Sequence, residues 1–413
     1  MIAAPGQGAQ TPGFLSPWLD LPGFAERLAA WSDLASCDLI RYGTTAGKDE
    51  ITDTAVAQPL LVAAALAAAE ALADVTGADA HPGGALSGAP SRDLTRIGRE
   101  ADIAAGHSVG ELAAGAIAGA ISADDAMRLV GVRGRAMAKA AAAEATGMTA
   151  VLGGAQDEVL ATLDAHGLTP ANVNGAGQIV AAGTMAQLDA LAADPPPGTR
   201  LRPLSVAGAF HTAHMAPAVA ALREATAGIT VRDPAILLLS NADGTAVASG
   251  REWLDRIVTQ VSAPVRWDEC MRTMADLGAS ALIELPPGGT LTGLARRALP
   301  GVALTALKTP DNLDAARSLL AEHGIPESPQ PGHVPEWRLI VSPQAGTFRA
   351  SRDDDAAPGC HVRSGVTLGH VEVRSNQHPV SPAFSATVLE WLVEDGDPVT
   401  VGQPLVRLQP ENA

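Results

Sequence analysis

Most of the chain alternates short apolar runs with longer alanine-rich stretches, and this alternation predicts an α/β domain. From residue 1 to about residue 323, β-branched or apolar runs of strand length are separated by helical stretches, which is the order found in parallel sheets covered by helices. The most apolar window, residues 55–73, is mostly alanine but contains Gln58, Pro59 and Glu70. We therefore expect a buried helix there and no membrane span.

A different order of segments interrupts this pattern between about residues 140 and 206. The segments are a strand (GMTAVLGG), a helix (AQDEVLATLDAHG), two strands (PANVNG and QIVAAG), a second helix (TMAQLDALAAD) and a last strand (RLRPLSV). The order βαββαβ is that of a ferredoxin-like unit. We expect a small ferredoxin-like subdomain inserted into the larger domain.

A proline-rich segment at residues 324–336 predicts a linker between a domain at 1–323 and a second domain at 337–413. Within the second domain, one spacing of glycine and aliphatic residues occurs twice: Gly359-x-x-Val362-x-x-Gly365-x-x-Leu368 and Gly396-x-x-Val399-x-x-Gly402-x-x-Leu405. Two copies of one β-rich half predict a small all-β domain with two-fold pseudo-symmetry.

Composition and charge argue against several classes of protein. The formal net charge is −17 and only 3% of the residues are aromatic, whereas nucleic-acid binding needs a basic face and stacking rings. Cys37, Cys270 and Cys360 lie far apart in the sequence, so we expect neither a disulfide framework nor a metal site. The first residues, MIAAPGQG, do not have the pattern of a signal peptide. We expect a cytoplasmic protein.

The segment GHSVG places Ser108 between Gly106 and Gly110, which is the pattern of a nucleophile elbow. The apolar residues DIAA before it predict a short strand, and ELAAGAIAGAI after it predicts a helix. A side chain at either glycine would collide with so tight a turn. The backbone N–H groups at the start of the helix would face an oxyanion formed at the serine.

A serine hydroxyl needs a base to remove its proton, and histidine is the usual base near neutral pH. His107 is adjacent to the serine, and neighbours on an elbow point in different directions, so it is a weak candidate. His211 and His214 in VAGAFHTAHM follow the end of a predicted strand. Their spacing does not decide between the two.

Several separated motifs carry a resemblance to a known family. They are PGQGAQ at 5–10, AQPLL at 57–61, GHSVGE at 106–111, VRGRAM at 132–137, ANVNGAGQIVAAG at 171–183, GAFHTAHM at 208–215, SAPVRW at 262–267 and PPGGTLTGL at 286–294. With these motifs in this order, residues 1–323 resemble the malonyl-CoA:acyl carrier protein transacylases and, more broadly, the acyltransferase domains of polyketide synthases. The resemblance implies an α/β-hydrolase-like acyltransferase core.

The resemblance also implies the catalytic groups. The family pattern of a histidine followed four residues later by methionine selects His211, with Met215, as the base. The backbone N–H groups of Gln7 and Val109 would form the oxyanion hole. A backbone carbonyl orients the base in this family, and the matching position is Ala263, so no acidic triad member is needed.

The resemblance further implies the substrate. Arg133 matches the family arginine that binds the free carboxylate of a malonyl group, and Gln58 matches a glutamine lining the same pocket. Phe210 matches a phenylalanine that would exclude a branched methylmalonyl group. The expected reaction transfers malonyl from malonyl-CoA, through an ester on Ser108, to the phosphopantetheine thiol of acyl carrier protein in type II fatty acid synthesis. No cofactor is expected.

Acyl carrier proteins are acidic, so we expect a local cluster of basic residues to dock one despite the net negative charge of the chain. The candidates for docking are Arg200, Arg202, Arg296 and Arg297. The transferase is expected to act as a monomer, with no membrane or nucleic-acid partner.

Residues 337–413 resemble the biotinyl/lipoyl domain of biotin carboxyl carrier proteins, through VSPQAGTFR at 341–349 and LVEDGDPVTVGQPLVRL at 392–408. The resemblance implies a flattened β-barrel and places the modified lysine of that family at Ser375. The only lysines of the chain are Lys48, Lys139 and Lys308, so biotin or lipoate cannot be attached in this domain. We expect a role in interaction or stability, with acetyl-CoA carboxylase as one hypothetical partner.

Three alternatives remain open at this point. A serine hydrolase or thioesterase would pass the acyl group to water, but Arg133 and the missing acidic triad partner argue against it. A discrete acyltransferase serving a polyketide synthase would use the same chemistry with another carrier protein, and the motifs do not separate it from fatty acid synthesis. A scaffold built on an inactive transferase is disfavoured because Ser108, His211 and Arg133 are all present.

Overall fold

The computed structural model describes residues 1–73, 94, 97, 100–324, 338–351, 357–374, 376–382 and 384–410. The chain divides into two compact units, Met1–Pro326 and Glu327–Ala413. This division falls inside the predicted linker at 324–336, which, apart from Gly324, lies outside the described residues.

The first unit contains ten strands among its described residues. They are β1 (Ile2–Ala4), β2 (Ile103–Gly106), β3 (Thr146–Gly153), β4 (Thr169–Gly175), β5 (Gln178–Thr184), β6 (Thr199–Pro203), β7 (Leu237–Leu238), β8 (Val265–Arg266), β9 (Ala281–Glu284) and β10 (Ala303–Ala306). Five of them form a parallel sheet in the order β10-β9-β1-β2-β7. The α/β class predicted from the hydrophobic pattern is confirmed.

The first unit also contains α-helices among its described residues. They are α1 (Phe24–Ala35), α2 (Leu39–Thr44), α3 (Lys48–Thr52), α4 (Thr54–Ala73), α5 (Gly110–Ile117), α6 (Ala123–Ala141), α7 (Gln156–Ala165), α8 (Met185–Ala193), α9 (Ala216–Thr226), α10 (Gly250–Gln260), α11 (Trp267–Asp276), α12 (Thr290–Ala298) and α13 (Leu313–His323). Short 3-10 helices occur at Ser16–Asp20, Ala213–Met215 and Pro310–Asn312.

Helix α4 is a long, strongly apolar helix. By length and hydropathy it could cross a membrane, but 83% of its most apolar window is buried inside the protein. Its neighbour α6 approaches closely at Gly134, where a Cβ would lie 2.9 Å from the carbonyl oxygen of Thr54. A second glycine of α6, Gly131, allows a similar approach to α1, since a Cβ there would lie 2.4 Å from the carbonyl oxygen of Ala35. The close packing of α4 and α6 brings the side chains of Gln58 and Arg133 together.

The segment between α6 and residue 204 has the predicted βαββαβ order, β3-α7-β4-β5-α8-β6. Its four strands are antiparallel neighbours in the order β6-β3-β5-β4, and β8 joins the free edge of β4 in parallel. Apolar residues of α7 and α8 pack against one face of this sheet in a small core that includes Val159, Leu163, Leu188 and Leu191.

The second unit has only strands among its described residues. They are β11 (Arg338–Val341), β12 (Gly346–Ala350), β13 (His361–Val362), β14 (Gly369–Val373), β15 (Asn376–Val380), β16 (Ala386–Trp391), β17 (Pro398–Val399) and β18 (Pro404–Pro410). They form two four-stranded antiparallel sheets, β11-β18-β16-β13 and β15-β14-β12-β17.

The two copies of the sequence repeat occupy equivalent positions in these sheets. Each copy contributes one short edge strand, β13 in one sheet and β17 in the other. The repeated glycines all have positive φ: Gly359 (+90°), Gly365 (+81°), Gly396 (+99°) and Gly402 (+78°). The repeated aliphatic residues are all buried: Val362, Leu368, Val399 and Leu405. The repeated spacing of glycine and aliphatic residues thus corresponds to two turns that need glycine and two buried core positions in each half of the unit.

Candidate active site

Ser108 lies at the sharp turn between the carboxyl end of β2 and the start of α5, and its φ is +53°. Such a left-handed conformation is strained for a serine and is typical of nucleophile elbows. Both flanking glycines are required by close contacts. A Cβ on Gly106 would lie 2.0 Å from the carbonyl carbon of Gly110, and one on Gly110 would lie 2.2 Å from the carbonyl oxygen of Ala4.

His211 is the histidine that reaches the serine. The hydroxyl oxygen of Ser108 lies 2.7 Å from Nε2 of His211. His214, which the spacing left as an equal candidate, instead points its Nδ1 at the carboxylate of Glu144, 2.8 Å away. His107 donates from Nε2 to the side-chain oxygen of Asn174 at 2.8 Å.

The carbonyl that orients His211 belongs to Gln260, and this corrects the prediction of Ala263. Nδ1 of the imidazole donates to the carbonyl oxygen of Gln260 at 2.8 Å. Gln260 is the last residue of α10, and the carbonyls of a final helical turn have no intrahelical partner. The backbone of Ala263 is a second hydrogen-bond partner that, like Gln260, raises the pKa of the imidazole. The hydrogen bond to a carbonyl places the proton on Nδ1 and leaves Nε2 free to accept from the serine.

The imidazole of His211 is held in its neutral form. Burial, followed by the positive charge of Arg133, lowers its pKa from 6.5 to about 3. A base whose pKa is lowered remains unprotonated, and so competent to accept a proton, down to a lower pH. The carboxyl-terminal end of α10 faces the ring and would stabilise the imidazolium that forms during reaction.

This electrostatic environment predicts the pH dependence of acylation. A histidine with a pKa of 6.5 would be neutral in only about 3% of molecules at pH 5, a loss of roughly thirtyfold from pH 8. For His211 we expect acyl-enzyme formation at pH 5 to stay within about threefold of that at pH 8. Rapid-quench measurement of acyl-enzyme formation across this range checks it, and a thirtyfold decline with a midpoint near 6.5 would contradict it.

Arg133 is completely buried and lies beside the serine. One terminal nitrogen donates to the side-chain oxygen of Gln58 at 2.7 Å, and the other donates to that of Gln260 at 2.9 Å and lies 3.4 Å from Oγ of Ser108. Nε of Arg133 is buried without a hydrogen-bond acceptor among the described residues. Burial lowers the pKa of this guanidinium to about 10, so it remains charged near neutral pH.

The remaining predicted pocket residues are also buried near this arginine. Gln58 on α4 is 2% exposed and donates from its amide nitrogen toward the sulfur of Met137. Phe210, directly before His211, is 6% exposed and belongs to the main hydrophobic core. The guanidinium is thus surrounded by two side-chain amides, those of Gln58 and Gln260, by the serine hydroxyl and by apolar groups.

Gln7 follows the carboxyl end of β1, and Val109 follows the serine. The backbone N–H groups of these two residues donate to no other group in the described part of the chain. Gly6 lets the first loop approach the elbow, since a Cβ there would lie 2.8 Å from the carbonyl oxygen of His107. Two free amides on adjacent strand ends are the arrangement that an oxyanion hole requires.

A buried polar network beneath the serine was not predicted from the sequence. Asn241, beyond the carboxyl end of β7, accepts from the backbone N–H of Ser108 at 2.7 Å and donates to the carbonyl oxygen of Gly106 at 2.8 Å. Glu111 accepts from the side chain of Gln260 at 2.7 Å and from the backbone N–H of Asn241 at 3.1 Å. Gln260 thereby contacts five other residues of the site, namely Ser108, Glu111, Arg133, His211 and Asn241.

Each of these three residues has a feature in the sequence that could have indicated its role. Gln260 continues the apolar face of α10 that Trp253 and Ile257 define, and a polar residue at such a position must find a buried partner. Glu111 is the one charged residue in the otherwise apolar helix α5. Asn241 follows a short strand of the parallel sheet, where site residues commonly lie.

A cavity of about 770 Å³ opens beside the elbow. Gln7 and His107 contribute to its lining, together with residues of β3, β4, β5, β6 and α12. Of the four predicted docking arginines, Arg202 and Arg297 line this cavity, whereas Arg200 and Arg296 are exposed on the same two elements, β6 and α12. Among the described residues, no group of three or more His, Cys, Asp or Glu side chains is arranged to hold a metal ion.

Comparison with known proteins relates this geometry to one family. A family model described as an acyl transferase domain matches residues 85–310. The malonyl CoA-acyl carrier protein transacylase of Mycobacterium tuberculosis (strain ATCC 25618 / H37Rv) is 52% identical over 318 residues, which are 77% of this chain and 99% of the relative. The corresponding Escherichia coli (strain K12) protein is 32% identical over 328 residues, covering 76% of this chain and 97% of the relative.

Solved structures agree with these sequence comparisons. The crystal structure of MCAT from Mycobacterium tuberculosis aligns with a TM-score of 0.69 at 52% identity and covers 76% of this chain and 98% of that one. A malonyl-transacylase solved in complex with a type II PKS acyl-carrier protein aligns with a TM-score of 0.67 at 27% identity and covers 77% of this chain and 98% of that one. Since the relatives match over nearly their whole length, the chain belongs to the malonyl CoA-acyl carrier protein transacylase family.

Proposed function

We propose that this protein transfers malonyl from malonyl-CoA to the phosphopantetheine thiol of acyl carrier protein through a malonyl ester on Ser108. The observation that carries the proposal is the buried guanidinium of Arg133, with an unpartnered N–H and a terminal nitrogen 3.4 Å from the serine hydroxyl. A buried cation without a counter-ion in contact is suited to an anionic acyl group, because the carboxylate supplies the missing acceptor. Acetyl groups have no such carboxylate.

The reaction consists of two acyl transfers. In the first, Nε2 of His211 accepts the proton of Ser108 as the oxygen attacks the thioester carbonyl of malonyl-CoA. The resulting oxyanion is stabilised by the N–H groups of Gln7 and Val109, each such donor being worth about 10² to 10³ in rate. Coenzyme A leaves as the thiol after taking the proton from the imidazolium. In the second, the carrier thiol loses its proton to the same imidazole and attacks the ester, which regenerates the serine hydroxyl.

Fatty acid synthesis is the pathway we propose, because the relatives at 52% and 32% identity are malonyl CoA-acyl carrier protein transacylases. Service to a polyketide synthase is the second candidate, supported by the complex of a similar transacylase with a type II PKS acyl-carrier protein. Transfer rates to the two classes of carrier protein decide between them. Hydrolysis is disfavoured, because a carbonyl rather than a carboxylate orients His211.

We also propose finer assignments for the fold, the location and the assembly. The inserted sheet order β6-β3-β5-β4 supports a ferredoxin-like subdomain, and the elbow at the carboxyl end of β2, an internal strand of the parallel sheet, supports an α/β-hydrolase-like core. A monomer is sufficient for activity, because all the site residues belong to the first unit of one chain. The free thiols of Cys37 and Cys270 fit the reducing cytoplasm, and burial raises the pKa of the Cys37 thiol to about 11, which keeps it protonated and unreactive.

The acidic carrier protein is proposed to dock on β6 and α12, where Arg202 and Arg297 line the cavity and Arg200 and Arg296 are exposed on the same two elements. We expect the double variant Arg296→Glu/Arg297→Glu to have a KM for carrier protein about tenfold higher, because the electrostatic attraction is weaker. Steady-state transfer assays at two salt concentrations measure this. Arg223→Glu, an exposed position on α9, is the control, and an unchanged KM in the double variant would refute the docking site.

For the second unit we propose a biotinyl/lipoyl-like flattened barrel that carries no cofactor. Its support is the pseudo-symmetric pair of sheets, with β14 and β15 forming a hairpin from Gly369 to Val380. Ser375, the position aligned with the modified lysine, falls between these two strands in the sequence and is outside the described residues. All three lysines of the chain precede this unit.

The absence of lysine from this unit leads to a direct expectation. Full-length protein produced together with a biotin ligase should give no band on a streptavidin blot, because amide-linked biotin requires a lysine amine. A positive band that disappears on deletion of residues 337–413 would overturn the assignment.

We further propose acetyl-CoA carboxylase, which supplies malonyl-CoA, as a partner of this unit. Complex formation between the two proteins that survives deletion of residues 337–413 would exclude this partner.

A further inference from the structure

We propose that Glu111 is a positioning residue that fixes the direction of the Gln260 side-chain amide, and thereby aims Arg133 at the acyl carboxylate. This inference rests on the proposed function, since it concerns how the same site selects malonyl. Glu111 itself lies one layer behind the reacting atoms and is 1% exposed.

The argument begins with the Gln260 amide, which has a donor end and an acceptor end. Its oxygen accepts from a terminal nitrogen of Arg133 at 2.9 Å, and its nitrogen donates to Oε2 of Glu111 at 2.7 Å. A guanidinium can only donate, and a carboxylate oxygen accepts. The two partners therefore favour the same orientation of the amide, and a flip would set N–H against N–H at the arginine.

Glu111 makes the shortest contact that enforces this orientation. The Gln260 nitrogen has two other acceptors, the carbonyl oxygen of Ser108 at 3.2 Å and the side-chain oxygen of Asn241 at 3.3 Å, and both distances are longer than the 2.7 Å to the carboxylate. Oε2 of Glu111 also accepts from the backbone N–H of Asn241 at 3.1 Å. One carboxyl oxygen of Glu111 therefore accepts hydrogen bonds from both Gln260 and Asn241. Gln260 in turn accepts from Arg133, and Asn241 accepts from the backbone N–H of the serine.

Gln260 contacts both the arginine and the base, so the orientation of its side chain affects the active site directly. Its side-chain oxygen contacts Arg133, while its backbone carbonyl accepts from Nδ1 of His211. The backbone carbonyl is held by the end of α10, so the base should keep its orientation when the side chain is released. The side-chain contact is the one that depends on Glu111. Loss of Glu111 is therefore expected to affect recognition of the acyl carboxylate more than proton transfer.

The hydrogen bond, rather than the negative charge, is the expected origin of the effect. Burial raises the pKa of Glu111 to about 7, so the carboxyl group is substantially protonated near neutral pH. A glutamine at this position can place its oxygen where Oε2 lies now, because the N–H of Asn241 already selects an acceptor there. Glu111→Gln thus keeps the acceptor and removes the charge, whereas Glu111→Met removes both at similar length.

The test compares malonyl-CoA and acetyl-CoA as donors in single-turnover acyl-enzyme formation. The ratio of the two values of kcat/KM is the readout, because an unstable or partly folded enzyme loses both activities in parallel. For Glu111→Met we expect this ratio to fall about tenfold, through a raised KM for malonyl-CoA. For Glu111→Gln we expect a ratio within about threefold of the unmodified enzyme.

A second buried carboxylate provides the matched control. Glu70 on α4 pairs with Arg27 at 2.9 Å and lies twelve residues from Gln58 along the same helix, about 18 Å away. Glu70→Met should lower thermal stability without changing the donor ratio. An unchanged ratio in Glu111→Met would overturn the proposal, as would a Glu111→Gln enzyme as impaired as Glu111→Met. An unmodified enzyme that does not accept malonyl at all would instead refute the proposed function.

Discussion

Ser108→Ala is expected to give no malonyl-enzyme and to lower transfer to carrier protein by at least about 10⁴-fold, the largest effect anticipated for any single change in this chain. The hydroxyl oxygen is the only nucleophile within hydrogen-bonding distance of Nε2 of His211 among the described residues, at 2.7 Å. The backbone strain at φ +53° comes from the Cβ atom, and alanine keeps that atom in the same place. The substitution therefore leaves the local backbone conformation about as strained as before. The fold should therefore be retained.

Incubation with radiolabelled malonyl-CoA, followed by denaturing electrophoresis, detects the covalent ester directly. Ser16→Ala, at an exposed position in the first 3-10 helix, serves as the control and should label fully. A slow residual transfer, without a covalent ester, is compatible with catalysis by substrate binding and the oxyanion hole alone. Labelling of the Ser108→Ala protein at another residue would refute the proposed mechanism.

Arg133→Ala is expected to remove most of the preference for malonyl over acetyl. A charge-assisted hydrogen bond to the acyl carboxylate is worth about 1.5 to 3 kcal/mol in a buried site, which corresponds to roughly 10- to 100-fold in the donor ratio. The variant also removes the positive charge near Glu111, and this raises the pKa of that carboxyl group further, so that it becomes neutral rather than remaining a buried anion. The protein should consequently fold.

The preference is measured as the ratio of kcat/KM for malonyl-CoA to that for acetyl-CoA. Arg128→Ala lies on the same helix, where its side chain is half exposed and pairs with Asp125, and it should leave the ratio unchanged. Arg133→Lys keeps the charge but not the planar fork, so an intermediate ratio is expected. A ratio unaffected by Arg133→Ala would show that another group binds the carboxylate.

The sequence was most informative where chemistry depends on local geometry. Ser108 between two glycines predicted a strained elbow, and the contacts of Gly106 and Gly110 explain both glycines. The repeated glycine and aliphatic positions of the second unit likewise predicted turns and core sites that the two sheets contain. Patterns of this kind are legible because the constraint acts within a few residues of its cause.

The distant partners of the serine could not be derived in the same way. His211 and His214 were equivalent by spacing, and only the packing of α10 against the segment after residue 207 decides that His211 reaches the serine while His214 pairs with Glu144. Ala263 was a reasonable expectation from the family pattern. The helix end instead presents the carbonyl of Gln260, because that carbonyl has no partner within α10.

Local spacing and composition therefore determined the α/β class, the elbow and the pseudo-symmetric β unit, since backbone sterics and hydrophobic periodicity act over short stretches of chain. The tertiary structure decided which histidine is the base, which carbonyl orients it, and how Glu111, Gln260 and Arg133 are joined. Those contacts link residues 49 to 149 positions apart in the chain. Such long-range contacts are created only when a whole core packs, so spacing and hydrophobic periodicity alone do not encode them.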